Sequence, residues 1–166
     1  LHACAALAGR DAARGLPFSV VIAGDGPDRA ELEALAARLG LTDRVRFLGA
    51  VRAVWSLYPQ LDLVVLPSRS EGLPNVLLEA LRADVPTVAT AVGAVPEVLT
   101  DPAAGLVIPA EDVNALADAI VRALPLKADP AARVARAETA ARFSLDHRVR
   151  RHLELYAEVV GHPVGG

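Results

Sequence analysis

Methionine is absent from the 166 residues, and cysteine occurs once, as Cys4. A lone thiol forms no internal disulfide, and nothing beside it has metal-ligand spacing, so the composition points to a reducing, cytoplasmic compartment. With no methionine, basic n-region or cleavage site at its start, the sequence is expected to be a piece of a longer protein. Long apolar runs are missing as well. Val20-Val21-Ile22-Ala23 and Leu63-Val64-Val65-Leu66 are far shorter than the about 20 residues a bilayer-spanning helix needs. A basic excess is also lacking: 17 Lys and Arg against 20 Asp and Glu leave a net charge of −3. That excludes the cationic field on which nucleic-acid binding depends, so no nucleic-acid partner is expected.

What is present is globular. Hydrophobic residues make up 53% and charged residues 22% of the chain, which excludes a disordered or low-complexity protein. The length suits one domain, able to bury about 70% of its unfolded surface. Apolar runs too short for helices alternate with segments of helical spacing. Strands are expected at Phe18–Ala23, Val45–Leu48, Leu61–Leu66, Pro86–Ala89 and Gly105–Ile108. Helices are expected at His2–Arg14, Asp28–Leu39, Pro74–Arg82, Pro96–Leu99, Asp112–Leu124, Pro130–Arg142 and Leu145–Val160. A helical turn is expected around Val54–Tyr58, and a frayed tail at His162–Gly166. Phe18–Ala23 reads as a strand buried on both faces, and Leu32, Leu35 and Leu39 as the buried stripe of the helix after it. Short links between alternating strands and helices imply right-handed crossovers. The fold expected is α/β: one Rossmann-like, doubly wound parallel sheet in three α/β/α layers.

In such sheets the ligand crevice lies outside the carboxyl ends of the strands. The most informative loop there is Pro67-Ser68-Arg69-Ser70-Glu71-Gly72-Leu73-Pro74, which opens the helix beginning Asn75-Val76-Leu77-Leu78-Glu79. Pro74 suits the first helical position. The free amides of Asn75 and Val76, with the helix dipole behind them, form an anion site. Glu71 lies before it, and Glu79 lies roughly 7 Å along the helix. Asn75, Glu79 and Arg82 make one polar stripe, opposite Val76, Leu77, Ala80 and Leu81. Carboxylates on both sides of an anion site suit a ligand with hydroxyls on both sides of its phosphates, as in a nucleotide sugar. On spacing alone, an alternative stays open: Glu79 paired with Arg82 on a solvated helix face, and Glu71 an ordinary loop residue.

Taken in order, Gly24-Asp25-Gly26-Pro27, Val45-Arg46-Phe47-Leu48-Gly49, Pro67-Ser68, Glu71-Gly72, Leu78-Glu79-Ala80-Leu81, Pro86-Thr87-Val88-Ala89-Thr90, Gly93 and Glu97 resemble the C-terminal half of family 4 glycosyltransferases of the GT-B fold. The resemblance runs from residue 2 to about 160. It implies that residues 1–166 are the nucleotide-sugar-binding domain of a retaining hexosyltransferase whose N-terminal acceptor domain lies elsewhere. Glu71 would contact donor sugar hydroxyls beside the reacting carbon, and is the catalytic candidate. Glu79 would hold the ribose hydroxyls. Backbone at Gly72, Leu73, Asn75 and Val76 would hold sugar and diphosphate, and backbone at Val51 would lie near the base. Gly24 and Gly26 are further ligand candidates, although a strand-to-helix turn uses glycine on conformational grounds alone.

The resemblance implies no metal or other cofactor; His147 and His152, five apart, share no helical face. It implies a nucleoside-diphosphate sugar as donor, most commonly a UDP-sugar, and a glycan or lipid-linked acceptor. The enzyme would be cytoplasmic, with peripheral association at the inner membrane face. Three departures stand out. Leu73-Pro74 replaces the usual Phe-Gly and removes one N–H from the loop. Asp84 stands where a helix-ending glycine is usual. The family's first strand and a following basic pair have no counterpart, so residues 1–166 alone should present two unpaired sheet edges, bind donor weakly and show no turnover. Trp55 and Tyr58, three apart, read as core, and Arg148, Arg150 and Arg151 as a solvated face. Two rival readings remain at this level: a non-catalytic α/β module that binds a nucleotide or a partner, and a sugar-nucleotide epimerase.

Overall fold

The computed structural model describes residues 1–14 and 17–161. In chain order the elements are α1 (His2–Arg14), β1 (Val20–Ala23), α2 (Arg29–Arg38), β2 (Val45–Gly49), β3 (Val64–Leu66), α3 (Asn75–Arg82), β4 (Thr87–Thr90), α4 (Val95–Val98), β5 (Gly105–Ile108), α5 (Val113–Ala123), α6 (Pro130–Arg142) and α7 (Leu145–Val160). Short 3-10 turns occupy Val54–Ser56, Tyr58–Gln60 and Leu124–Lys127. Every strand pair is parallel. The α/β class and the alternation of elements are those the sequence implies.

β4 organises the larger part. It pairs with β3 through Val64–Thr87, Val65–Val88 and Leu66–Ala89, and with β5 through Thr87–Gly105 to Thr90–Ile108. All four of its residues are buried. Successive side chains of a strand point to opposite faces, and both faces here are covered. Ala89 joins Leu77, Leu78 and Leu81 of α3, Val95 and Val98 of α4, and Ala135 and Ala140 of α6. Val88 joins Ile108 with Ala119 and Ala123 of α5. The three layers follow directly.

The sheet itself is in two parts. β1 pairs only with β2, from Val20–Val45 to Ala23–Gly49, with a register shift between Ile22 and Ala23. β3, β4 and β5 form the other part. Among the described residues no strand pairing joins the two parts, in keeping with the expected missing strand and unpaired edges. One consequence corrects the reading of Phe18–Ala23 as buried on both faces: β1 alternates half-buried and exposed residues, and Val21 is 40% exposed. A strand with neighbours on one side only has an uncovered edge and less cover on its faces. The stripe expected on α2 is likewise thin. Ala36 alone is buried, Leu35 and Leu39 are half-buried, and Leu32 is exposed. A smaller core of Ala36, Leu41 and Val45 holds this part together, and α1 lies against α5.

Helix ends follow their capping residues. Asp112 Oδ1 accepts from the Ala115 amide at 2.8 Å, and Asp129 Oδ1 from Ala131 at 2.8 Å. Ser144 Oγ accepts from His147 at 3.2 Å, and Gly161, at φ 70°, ends α7. No residue of α7 is buried; Leu145, Val149, Leu153 and Tyr156 are exposed along with Arg148, Arg150 and Arg151. Asp84 takes φ 58°, and its side chain explains why no glycine stands there. Arg136, with no exposed side-chain surface, donates from Nε to Asp84 Oδ1 at 2.7 Å and from Nη1 to the Leu126 carbonyl at 2.9 Å. Its Nη2 lies 2.7 Å from the same Asp84 oxygen as an ion-pair contact outside hydrogen-bond geometry. A buried guanidinium requires a carboxylate, and glycine offers none.

Several boundaries shift by one or two residues from expectation, and the start of β3 shifts by three. Pro59 sits in the Tyr58–Gln60 turn, and the ladder begins only where the Val64 amide donates to Pro86 O at 3.0 Å, so Leu61–Leu63 are not strand. The small helix Pro96–Leu99 lies one residue earlier, at Val95–Val98. The end of the first helix is followed by residues 15 and 16, which, like the expected tail at His162–Gly166, fall outside the described residues. No described helix is long and apolar enough to cross a membrane.

Candidate functional site

The loop between β3 and α3 is held by the end of β4. Thr90, buried within the sheet, donates its hydroxyl to the Ser68 carbonyl at 2.5 Å. Ser68 Oγ donates to Glu71 Oε1 at 2.6 Å, so the strand end fixes the residue that aims the carboxylate. From the other side, the Ala94 amide donates to Gly72 O at 3.0 Å. Gly93 passes so close that a Cβ there would come within 2.0 Å of Glu71 O and 2.8 Å of Gly72 O, and its φ is 53°. Only glycine meets both demands. A chain of contacts therefore runs from β5, whose Ile108 carbonyl accepts from the Ala91 amide at 2.7 Å, to the Glu71-Gly72 backbone.

α3 starts one residue later than Pro74 would suggest. Pro74 is buried in extended conformation at the N-cap, with φ −73° and ψ 110°, and its carbonyl accepts from the Leu77 amide at 3.2 Å. The proline ring thereby serves as the cap position instead of the first helical residue. Among the described residues, no acceptor meets the amides of Asn75 and Val76. The residues around them, Gly72, Leu73, Asn75 and Val76, are exposed. The buried face of α3 is Leu77, Leu78, Ala80 and Leu81, whereas Val76 is 41% exposed. Val76 therefore lies at the mouth and not, as the stripe suggested, in the core.

Glu79 has a partner that helical spacing did not offer. Its Oε2 accepts from the phenol of Tyr58 at 2.8 Å, and among the described residues no ion pair joins it to Arg82. The Tyr58 ring is buried among Val64, Ala80 and Val85. Burial first, then the hydrogen bond to Glu79 and its charge, push the phenol well above its ordinary pKa. Tyr58 was expected as core and is core, but its hydroxyl serves the polar stripe. A buried phenol needs a partner. That signal was legible; the partner, 21 residues on, was not. Trp55, expected as core beside it, is 68% exposed, because it sits in the first 3-10 turn while Tyr58 starts the second.

The remaining candidates are carried by other elements. Gly24 and Gly26 occupy the exposed turn between β1 and α2, where the Gly24 amide donates to Gly49 O at 2.8 Å and Gly26 O accepts from Arg29 at 3.2 Å. Val51 is half-buried just past β2. Glu97 is exposed on α4. Arg69, in the candidate loop, reaches Glu111 with Nε 2.9 Å from Oε1. That pairing ties the loop to the one after β5, and sequence spacing gave no sign of it.

The site is thus an open helix N-terminus, with two amides available and two carboxylates each fixed by a neighbouring hydroxyl. Comparison with known proteins gives it a family. The chain is 38% identical over 169 aligned residues to a D-inositol 3-phosphate glycosyltransferase of Salinispora tropica, covering 96% of this chain and 35% of that protein. It is 41% identical over 130 residues to an alpha-D-kanosaminyltransferase of Streptomyces kanamyceticus, covering 77% of this chain and 33% of that protein. It thus spans about a third of the length of these curated relatives. Among solved structures, Anabaena HepE in complex with UDP superposes with a TM-score of 0.76 at 26% identity, over 89% of this chain and 43% of that one. A Rickettsia africae glycosyltransferase shares the fold at a TM-score of 0.78 and 22% identity, over 96% and 43% of the two chains. The family profile described as "Glycosyl transferases group 1" matches residues 1–125, and the chain belongs to the group 1 glycosyltransferases.

Proposed function

We propose that residues 1–166 are the donor half of a glycosyltransferase that takes a hexose from a nucleoside-diphosphate sugar and passes it, with retention at the anomeric carbon, to a glycan or lipid-linked acceptor held by another part of the protein. The observation that carries this reading is the pair of unpartnered amides at Asn75 and Val76, set between Glu71 and Glu79, each carboxylate already aimed by a hydroxyl. As the glycosidic bond breaks, negative charge grows on the leaving diphosphate. Amides already oriented by α3 stabilise it without reorganising, and the helix dipole adds to them. Glu71, on the sugar side, orients hydroxyls and faces the developing positive charge of an oxocarbenium-like carbon. It is not assigned as a double-displacement nucleophile; donor and acceptor react on one face of the sugar. Glu79 takes the ribose. The family membership and a neighbour solved with UDP-glucose favour this reading over a non-catalytic module. The donor site needs no metal, and a UDP-sugar is the proposed donor. A peripheral position at the inner membrane face would suit a lipid-linked acceptor.

The test is calorimetric titration of UDP, GDP and ADP into the full-length protein and its Glu79→Ala variant. A charge-assisted hydrogen bond is worth about 1.5–3 kcal/mol, so one nucleotide should bind best and lose roughly 10- to 100-fold in affinity. If no nucleotide binds, or Glu79→Ala changes nothing, the polar stripe is only a helix surface and the binding-module reading replaces this one.

A further inference from the structure

Glu79 sits on the outer, half-buried side of α3, where a flexible carboxylate has a choice of partners. Arg82 follows it by one helical turn, and solvent is close. Instead, its Oε2 is held at 2.8 Å by Tyr58, a residue only 3% exposed that clusters with Val64, Ala80 and Val85. Ala80 is the next residue of the same helix, so the ring shares a core cluster with the residue beside Glu79 as well as holding its carboxylate. The phenol donates its single hydrogen bond to Oε2, and among the described residues nothing meets Oε1. Because burial and the neighbouring carboxylate hold Tyr58 protonated through physiological pH, this donation persists wherever the protein works.

We propose that Tyr58 is a positioning residue of the nucleotide site: its buried phenol locks Glu79 in one rotamer and leaves Oε1 to accept the ribose hydroxyls. The proposal rests on the donor-site reading above and deepens it. A ligand that finds its acceptor already oriented loses less freedom on binding than one that must order it. Tyr58 would thus contribute to ribose recognition without touching the ribose.

The experiment titrates the full-length protein with UDP, GDP and ADP, then repeats the tightest binder with its 2′-deoxy and 3′-deoxy counterparts. Native protein, Tyr58→Phe, Glu79→Ala and the double variant are compared, and thermal unfolding verifies that each is folded. Tyr58→Phe keeps the ring and removes only the hydroxyl. It should weaken the ribonucleotide roughly threefold to tenfold and leave at least one deoxynucleotide unchanged, so that discrimination between them shrinks. In the Glu79→Ala background it should add nothing. If Tyr58→Phe weakens ribo and deoxy forms alike, or adds its full effect to Glu79→Ala, Tyr58 acts only by packing and the inference fails while the donor site stands. If Glu79→Ala itself leaves the ribo/deoxy ratio unmoved, both the inference and the assignment of Glu79 fall together.

Discussion

β4 and β1 are four-residue parallel strands of the same chain, yet every residue of β4 is buried and none of β1 is. β4 has a strand on each side and helices over both faces; β1 has one neighbour, and the buried core beside it is small. Burial in a parallel sheet is thus a property of neighbours more than of the strand's own residues, since Val20-Val21-Ile22 is as apolar as anything in β4. The candidate site divides along the same line. Glu71 and Glu79 stand on the part organised by β4, where hydroxyls and backbone contacts fix them. Gly24, Gly26 and Val51 stand on the part organised by β1, where the turn is exposed.

The comparison is broken most severely at Gly93. An alanine there would drive its Cβ to 2.0 Å from Glu71 O at a φ of 53°. Left-handed backbone costs a non-glycine residue about 1–2 kcal/mol and overpacking about 1–3 kcal/mol more. Gly93→Ala should therefore lose about 2–5 kcal/mol by urea unfolding, and nucleotide affinity with it as the Glu71 loop is displaced. Gly24, at φ 140°, has open space where a Cβ would go. Gly24→Ala should cost the backbone strain alone, and a loss as large as that at Gly93 would show that the two parts are equally constrained.

Next in size is Asp84. Asparagine tolerates its left-handed backbone but withdraws the charge that Arg136 faces with no exposed side-chain surface. Breaking a buried pair costs about 3–5 kcal/mol, and Asp84, 38% exposed, should fall at or below the lower end, near 3 kcal/mol in the same unfolding measurement. Arg136→Leu would remove the charge together with its need for a partner, and should cost less than Asp84→Asn.

Val88→Ala against Val21→Ala tests the two strands directly. Val88 is fully buried and Val21 is 40% exposed. Emptying a buried valine should cost about 1.5–3 kcal/mol, while the exposed one should stay within about 0.5 kcal/mol. Amide exchange should rank the strands in the same order, with β4 protected to the global limit and β1 opening locally.

These contrasts also mark what the sequence made legible. Periodicity, capping residues and the short apolar runs sufficed for the α/β class, for α6 and α7 to the residue, and for the loop and helix that carry Glu71 and Glu79. They failed where a residue's fate depends on a distant neighbour. Val21 and Leu32 look like core and are exposed because little packs over them. Trp55 and Tyr58 share a helical spacing but lie in separate 3-10 turns and part company. Asp84 looks like a poor replacement for glycine until Arg136, 52 positions on, is seen to need its carboxylate. The braces on Glu71 are of the same kind, since Gly93 and Thr90 meet its loop only through the parallel pairing of β3 with β4.

The smallest effect, and the most local, is at Ser68. Its hydroxyl aims Glu71 at 2.6 Å, while its carbonyl is held by Thr90. Ser68→Ala keeps the carbonyl, so the loop should remain on its strand and stability should fall by only about 0.5–1.5 kcal/mol. Glu71 would be left without its aiming hydroxyl. If that aim matters, donor-sugar transfer by the full-length protein should slow about tenfold, while affinity for the bare nucleoside diphosphate, which has no sugar for Glu71 to meet, should stay within about twofold. An equal loss for nucleotide and nucleotide sugar would instead place Ser68 in the support of the whole loop, and would make the β4-braced part of the site a single unit instead of two independently aimed carboxylates.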